Sequence, residues 1–363
     1  MANPSTMIAA RIHGAGDVRV ETVPCPSPGP DEVLLAVTTV GLCGSDHHYY
    51  REGGIGTARI TAPLILGHEI AARIVDGSAG LGLSPGALVA VDPARSCGGC
   101  EWCRRGHTNL CPKVRFAGSP PDVQGALAEY LVAARAAVHP VPPSLSAAAA
   151  ALLEPLGVAI HALDLARLRP LDTVAILGAG PIGLLLLQVA RLAGAGAVFA
   201  IDPIPRRTEL ARALGADEAG NAWESVLEWT NGRGVDTVIE ATDSSAAPDQ
   251  ATRVVRIGGQ VVLVGIPEQE EFSLSASVVR RKGLTLRMVR RMGEVYPRAI
   301  RMAASGRVLL EPLISHRYPL AQAPGAFALQ ADHRDEVVKV VVEPGESGRG
   351  NGEPARENER EAN

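Results

Sequence analysis

Between Asp172 and Arg191 the chain runs for eighteen residues without a charge and contains an unbroken stretch of leucines at 184–187. Length alone would permit a membrane span. However, Gly178-Ala179-Gly180-Pro181 interrupts the run in its middle, so the pattern predicts a buried strand, a glycine turn and a buried helix to Leu192. Further apolar runs at 197–201, 235–240, 260–264 and 284–289 read as strands, and helical runs such as 206–214 alternate with them. That alternation predicts a parallel, doubly wound α/β sheet. Residues 344–363 differ: they are mostly Gly, Glu, Arg and Asn, with almost nothing apolar to bury, and predict a disordered tail. No internal repeat is visible.

Composition narrows the function. With 363 residues, 46% hydrophobic and 20% charged, the chain suits two domains, each with its own core. A net charge of −4 and a pI near 6.2 leave no basic footprint for nucleic acid or an anionic membrane, so a small-molecule partner is expected. The start, Met1-Ala2-Asn3-Pro4-Ser5, has no secretory apolar region, which predicts a reducing, cytoplasmic setting.

Three clusters carry chemistry. In Gly178-Ala179-Gly180-Pro181-Ile182-Gly183, the first glycine permits a tight turn, the second lets backbone approach a pyrophosphate, and the third lets helix pack on strand. The strand at 197–201 ends at Asp202, where a carboxylate can accept from a ribose hydroxyl and repel a 2′-phosphate, favouring NAD over NADP; Arg206 and Arg207 follow. The plainer reading of Asp202 is a strand-end turn residue. Cys97, Cys100, Cys103 and Cys111 have the spacing of a closed tetrahedral Zn2+ shell, against the alternative of two disulfides. Upstream, Cys43, Ser45, His47 and His48 follow Gly41, and His68-Glu69 follows Gly67, which supplies donors for a second zinc with an open position. Glu154 is the sole acid in an apolar stretch, where a carboxylate needs a cation or metal; otherwise it is a helix-start residue before Pro155.

From about Ile8 to Glu343 these motifs resemble the zinc-dependent medium-chain alcohol dehydrogenases. The resemblance implies a GroES-like distorted β-barrel catalytic domain (1–155, with a zinc lobe at about 95–113, completed by 290–343) and a Rossmann NAD-binding domain (156–289). It implies two zinc ions per chain: one structural, and one catalytic on Cys43 and His68 with Glu69 or Glu154 as the further ligand. Glu154 stands where ordinary alcohol dehydrogenases carry a cysteine, as in the sorbitol, xylitol and butanediol branch. Ser45 and His48 match the proton relay that serves hydride transfer to the nicotinamide, and Asp46 a residue that orients a ligand. Val264, Gly265 and Ile266 match the nicotinamide end, and Ile182 and Arg207 join the cofactor set. Tyr49, Tyr50, Phe116 and Arg290 match the substrate cleft, whereas Arg291 departs from the family's Arg-Tyr pair and could favour a phosphorylated or acidic sugar or simply face solvent. The implied activity is oxidation of a polyol, sugar, cyclitol or aminocyclitol alcohol to a ketone by a homodimer or homotetramer. Butanediol and L-threonine dehydrogenases are the near alternatives. A zinc-lobe nucleic-acid-binding protein and a non-catalytic NAD-binding relative are the remote ones.

Overall fold

The computed structural model describes residues 4–77, 82–332 and 336–346. Its parallel sheet has six strands in the spatial order Glu218–Gly220, Ala197–Ile201, Thr173–Leu177, Val235–Glu240, Val255–Leu263 and Thr285–Met288. Numbered along the chain, that is the order 3-2-1-4-5-6 of a doubly wound dinucleotide fold, which leaves a crevice beyond the carboxyl ends of the first and fourth strands. The uncharged run resolves as expected into the strand Thr173–Leu177, the glycine turn and the helix Pro181–Leu192. No helix among the described residues is long and apolar enough to cross a membrane. The strand expected at 260–264 is the end of a longer one, Val255–Leu263. Gly258-Gly259 resembles a break in sequence, but the chain continues through it with a register shift against Val235–Glu240.

Before and after this unit in sequence lies a second, mostly antiparallel sheet. Its order is Val138–Pro140, Leu88–Val91, Glu69–Asp76, Glu32–Gly41, Lys339–Glu343 and Ile314–Pro319, and Tyr130–Ala134 pairs with the first half of Glu32–Gly41. A three-stranded sheet of Asp17–Pro24, Thr6–Gly14 and Leu64–Ile65 packs with it. Two of the strands come from the C-terminal end, so the chain leaves this body and returns to it. Of the expected tail, Pro344–Glu346 form a 3-10 turn, and 347–363 lie outside the described residues.

The two bodies share a core. The helices Ala147–Ala151 and Leu153–Ala166 pack Ala149, Leu153, Leu156 and Ile160 between Ala71 and Ala90 of the antiparallel sheet and Val174 and Ile176 of the parallel one. Ser146 caps the first of these helices by accepting from the Ala149 N–H. Glu154, in the first turn of the second, is thereby held at the seam.

Candidate active site

Cys43 precedes the helix Gly44–Glu52, and Asp46 closes that helix start: Oδ2 accepts from the Cys43 N–H at 2.9 Å. Asp46 is fully buried, and its Oδ1 accepts from the Gly67 N–H at 3.4 Å and lies 3.7 Å from His68 Nδ1. One carboxylate therefore orients both Cys43 and His68. The Cys43 Sγ, a His68 ring nitrogen and a Glu69 oxygen all lie within 4.8 Å of one another. Gly41 opposite must lack a side chain, since a Cβ there would stand 1.9 Å from Glu69 Oε2.

The electrostatics of this group call for a cation. Burial by itself would depress the pKa of His68, but Asp46 and then Cys43 outweigh it and hold the imidazole up at about 10. Surroundings that stabilise a positive ring this strongly would also stabilise a metal ion, and a ligating imidazole must shed that proton. Glu154 stands outside the close group. Burial pushes its pKa up to about 7, with the His68 charge opposing and Glu69 adding to the rise. Composition alone did not reveal Lys339, whose Nζ donates to both Glu69 oxygens at 2.7 and 2.8 Å and to the Leu42 carbonyl at 2.9 Å. Both partners are almost fully buried. The available signal was a lone cation inside the apolar run Val337-Val338-Lys339-Val340-Val341-Val342, the same signal that singled out Glu154.

Along the helix Gly44–Glu52, Ser45 and His48 are three residues apart and so share a face. His48 Nδ1 is 3.0 Å from Glu52 Oε1, and Nε2 is 3.3 Å from the Ile266 carbonyl oxygen. Ile266 follows the carboxyl end of the fifth parallel strand, so His48 bridges the two bodies. Ile266 is itself exposed in the crevice, and Val264 is half-buried beside it.

The glycine loop meets its three requirements. Gly178 has φ +94, a conformation L side chains rarely adopt. A Cβ on Gly183 would lie 1.8 Å from the Gly178 carbonyl oxygen, while one on Gly180 would meet only Arg207 Nη1, at 3.9 Å. The face of Gly180 is thus open to a ligand. Asp202 does strand-end work as well: its Oδ2 accepts from the Ala179 N–H and its Oδ1 from the Ile204 N–H, both at 2.9 Å. Arg207 Nη1 is 3.5 Å from Asp202 Oδ2, whereas Arg206 is exposed.

All four lobe cysteines are free thiols with Sγ atoms within 4.8 Å of one another. Cys97 has its pKa lowered to about 6, chiefly by the N–H groups of Gly99 and Cys100. A preorganised thiolate of this kind fits a closed metal shell rather than a disulfide pair.

The substrate-side residues divide. Phe116 packs on His68 with ring centroids 5.0 Å apart, and Tyr49 is buried nearby. Arg290 has an exposed side chain, and its carbonyl accepts from Asn109 Nδ2 at 3.0 Å. The half-buried guanidinium at this position is that of Arg291, 4.3 Å from the Phe116 centroid.

A profile for the alcohol dehydrogenase GroES-like domain matches residues 29–143, and one for zinc-binding dehydrogenases matches residues 181–305. The sorbitol dehydrogenase of Bacillus subtilis is 39% identical over 347 residues, covering 94% of this chain and 98% of the relative. Galactitol-1-phosphate dehydrogenase of Escherichia coli superposes with a TM-score of 0.83 at 30% identity, covering 93% and 100% of the two chains. A Sinorhizobium meliloti protein described as a zinc-binding dehydrogenase and solved with NADP gives 0.86 at 34%, covering 94% and 100%. Matched along nearly its whole length in sequence and in fold, the chain belongs to the zinc-dependent medium-chain alcohol dehydrogenase family.

Proposed function

We propose that this protein oxidises a secondary alcohol of a polyol, sugar or cyclitol to the ketone with NAD, using one catalytic and one structural zinc. The observation that carries the reading is the buried group of Cys43, His68 and Glu69 with Glu154 beside it, a carboxylate-rich set in a chain 39% identical to a sorbitol dehydrogenase. Residues 1–155 with 290–343 would form the catalytic domain and 156–289 the cofactor domain, an assignment supported by the return of Ile314–Pro319 and Lys339–Glu343 to the antiparallel sheet.

Held by Cys43, His68 and Glu69, zinc would supply a Lewis acid for the substrate hydroxyl, and NAD over the glycine loop would supply the hydride acceptor. The chain's own residues do the rest. Ser45 would take the hydroxyl proton as it gives up its own, and His48 would accept that proton at Nε2 on releasing the Ile266 carbonyl while its Nδ1–H passes to the Glu52 carboxylate, whose 41% exposure opens the path to water. Phe116 and Tyr49 wall the cleft against solvent, and Asp46 keeps His68 oriented. Initial rates of NADH formation on polyols, cyclitols, aminocyclitols, vicinal diols and threonine test the reading. Turnover confined to the vicinal diol or to threonine would refute it.

Asp202 is proposed to set the cofactor preference. Replacing it with Ser removes the ribose acceptor and leaves the exposed Arg206 and the Nη1 of Arg207 to meet a 2′-phosphate, so the ratio of kcat/KM for NADP over NAD should rise at least tenfold, about 1.4 kcal/mol. A wild-type enzyme that already prefers NADP would contradict this.

Six free cysteines suit the expected reducing, cytoplasmic setting. A homodimer or homotetramer is supported by the edge strand Thr285–Met288, which exposes Leu286 at 38% and Met288 at 64%. Light scattering should give a multiple of the 37.8 kDa chain mass, reduced by Met288→Lys. A single-chain mass for the wild type would end that proposal.

A further inference from the structure

Arg291 sits in the cleft in an unusual state. Its backbone is in the left-handed region at φ +55, which a non-glycine residue keeps only where its surroundings over-determine it. Its guanidinium lies over Phe116, the ring that packs on His68. Nη1 is buried without a hydrogen-bond partner, and among the described residues no carboxylate comes within 4.0 Å of the group. Burial and the neighbouring Arg290 charge both work against the charged guanidinium, and Glu154 is near enough for its charge to act in favour of it. Native proteins seldom leave a buried charged donor unmatched, so an acceptor is called for beside Arg291 Nη1.

We propose that Arg291 binds an anionic end group of the substrate, a carboxylate or a phosphate, so that the preferred substrate is a polyol bearing such a group rather than a neutral polyol. The inference rests on the dehydrogenase reading above and names the substrate class of that same site. A planar guanidinium fork matches the paired oxygens of a carboxylate or phosphate, whereas a lone hydroxyl would leave the charge uncompensated. Arg291 and His68 both pack against the Phe116 ring, so an anion held by Arg291 would lie within the reach of a substrate whose alcohol sits at the His68 group. Glu154 has no ion pair with Arg291 and is drawn instead into the field of His68 and Lys339.

The test uses the zinc-loaded full chain with NAD and three substrates of one carbon skeleton: a neutral polyol, its terminal carboxylate and its terminal phosphate. At least one anionic form should exceed the neutral form in kcat/KM by on the order of 10- to 100-fold, chiefly through KM, and the favoured form identifies the group. In Arg291→Gln that ratio should fall to near one, and in Arg291→Lys it should be partly retained. A wild-type preference for the neutral polyol overturns the proposal, and that comparison does not depend on any variant folding. So does a ratio unchanged in Arg291→Gln with both rates lowered alike, which would make Arg291 a packing partner of Phe116 only. Either result leaves the dehydrogenase reading intact, whereas no turnover of any of the three overturns both.

Discussion

Cys43→Ala should lose dehydrogenase activity by on the order of a thousandfold or more, the several kcal/mol a Lewis acid contributes to such a reaction. Zinc content should fall from about two ions per chain to about one, because the lobe of Cys97, Cys100, Cys103 and Cys111 is a closed set of its own. The fold should survive. Cys43 holds its surroundings largely through main chain: its N–H donates to Asp46 and its carbonyl accepts from Gln330 Nε2 at 3.0 Å, and alanine keeps both while losing the thiol's bond to His68. Metal analysis, circular dichroism and NADH formation on the same preparation check all three statements. A protein holding one zinc before and after the change, or one that keeps its activity, would sink the catalytic assignment.

Lys339→Met should be the most destabilising of the single changes considered, by about 3–5 kcal/mol in metal-free protein, because it leaves the Glu69 carboxylate buried without its cation. Burial alone would depress the pKa of Lys339, but Glu69 beside it more than reverses this, so the ammonium stays charged in the core. Zinc on Glu69 would take over part of the compensation, and the loss should shrink when metal is restored. Urea unfolding with and without chelator measures both numbers. Adding Glu69→Gln to Lys339→Met should recover part of the stability, since no uncompensated charge then remains. Equal destabilisation with and without zinc would separate Glu69 from the metal.

Much of this was legible along the chain, because much of it is local. The glycine loop, the strand before it and the helix after it occupy consecutive residues, and the lobe cysteines fall within fifteen positions, so spacing carries the geometry. Glu154 was legible for a different reason, as an acid that an apolar stretch could not hold unaided. Lys339 satisfies the same test and pairs with Glu69 across 270 positions; nothing near Glu69 in sequence announces its partner. Which of Arg290 and Arg291 tucks its guanidinium inward goes with a left-handed backbone, φ +55 at Arg291, which two adjacent arginines do not encode visibly. The strand Val255–Leu263 begins before the apolar run at 260–264 because Val255 already pairs with Val235; the turn-like Gly258-Gly259 falls in the register shift, and pairing resumes at Gln260.

The return of Lys339–Glu343 to the antiparallel sheet also orders events during synthesis. Glu32–Gly41 and Glu69–Asp76 leave the ribosome early, yet the strand that pairs with Val40 and Gly41 and carries the cation for Glu69 comes roughly 270 positions later. At the usual pace of about 5–20 residues per second, the nascent first sheet waits on the order of tens of seconds with one edge uncovered and one acid unmatched. The parallel-sheet unit, whose strands and helices follow one another directly, can close during that interval. The catalytic centre is therefore the last part of the molecule to be assembled, and the waiting intermediate, with its open strand edge, is the species most in need of a chaperone.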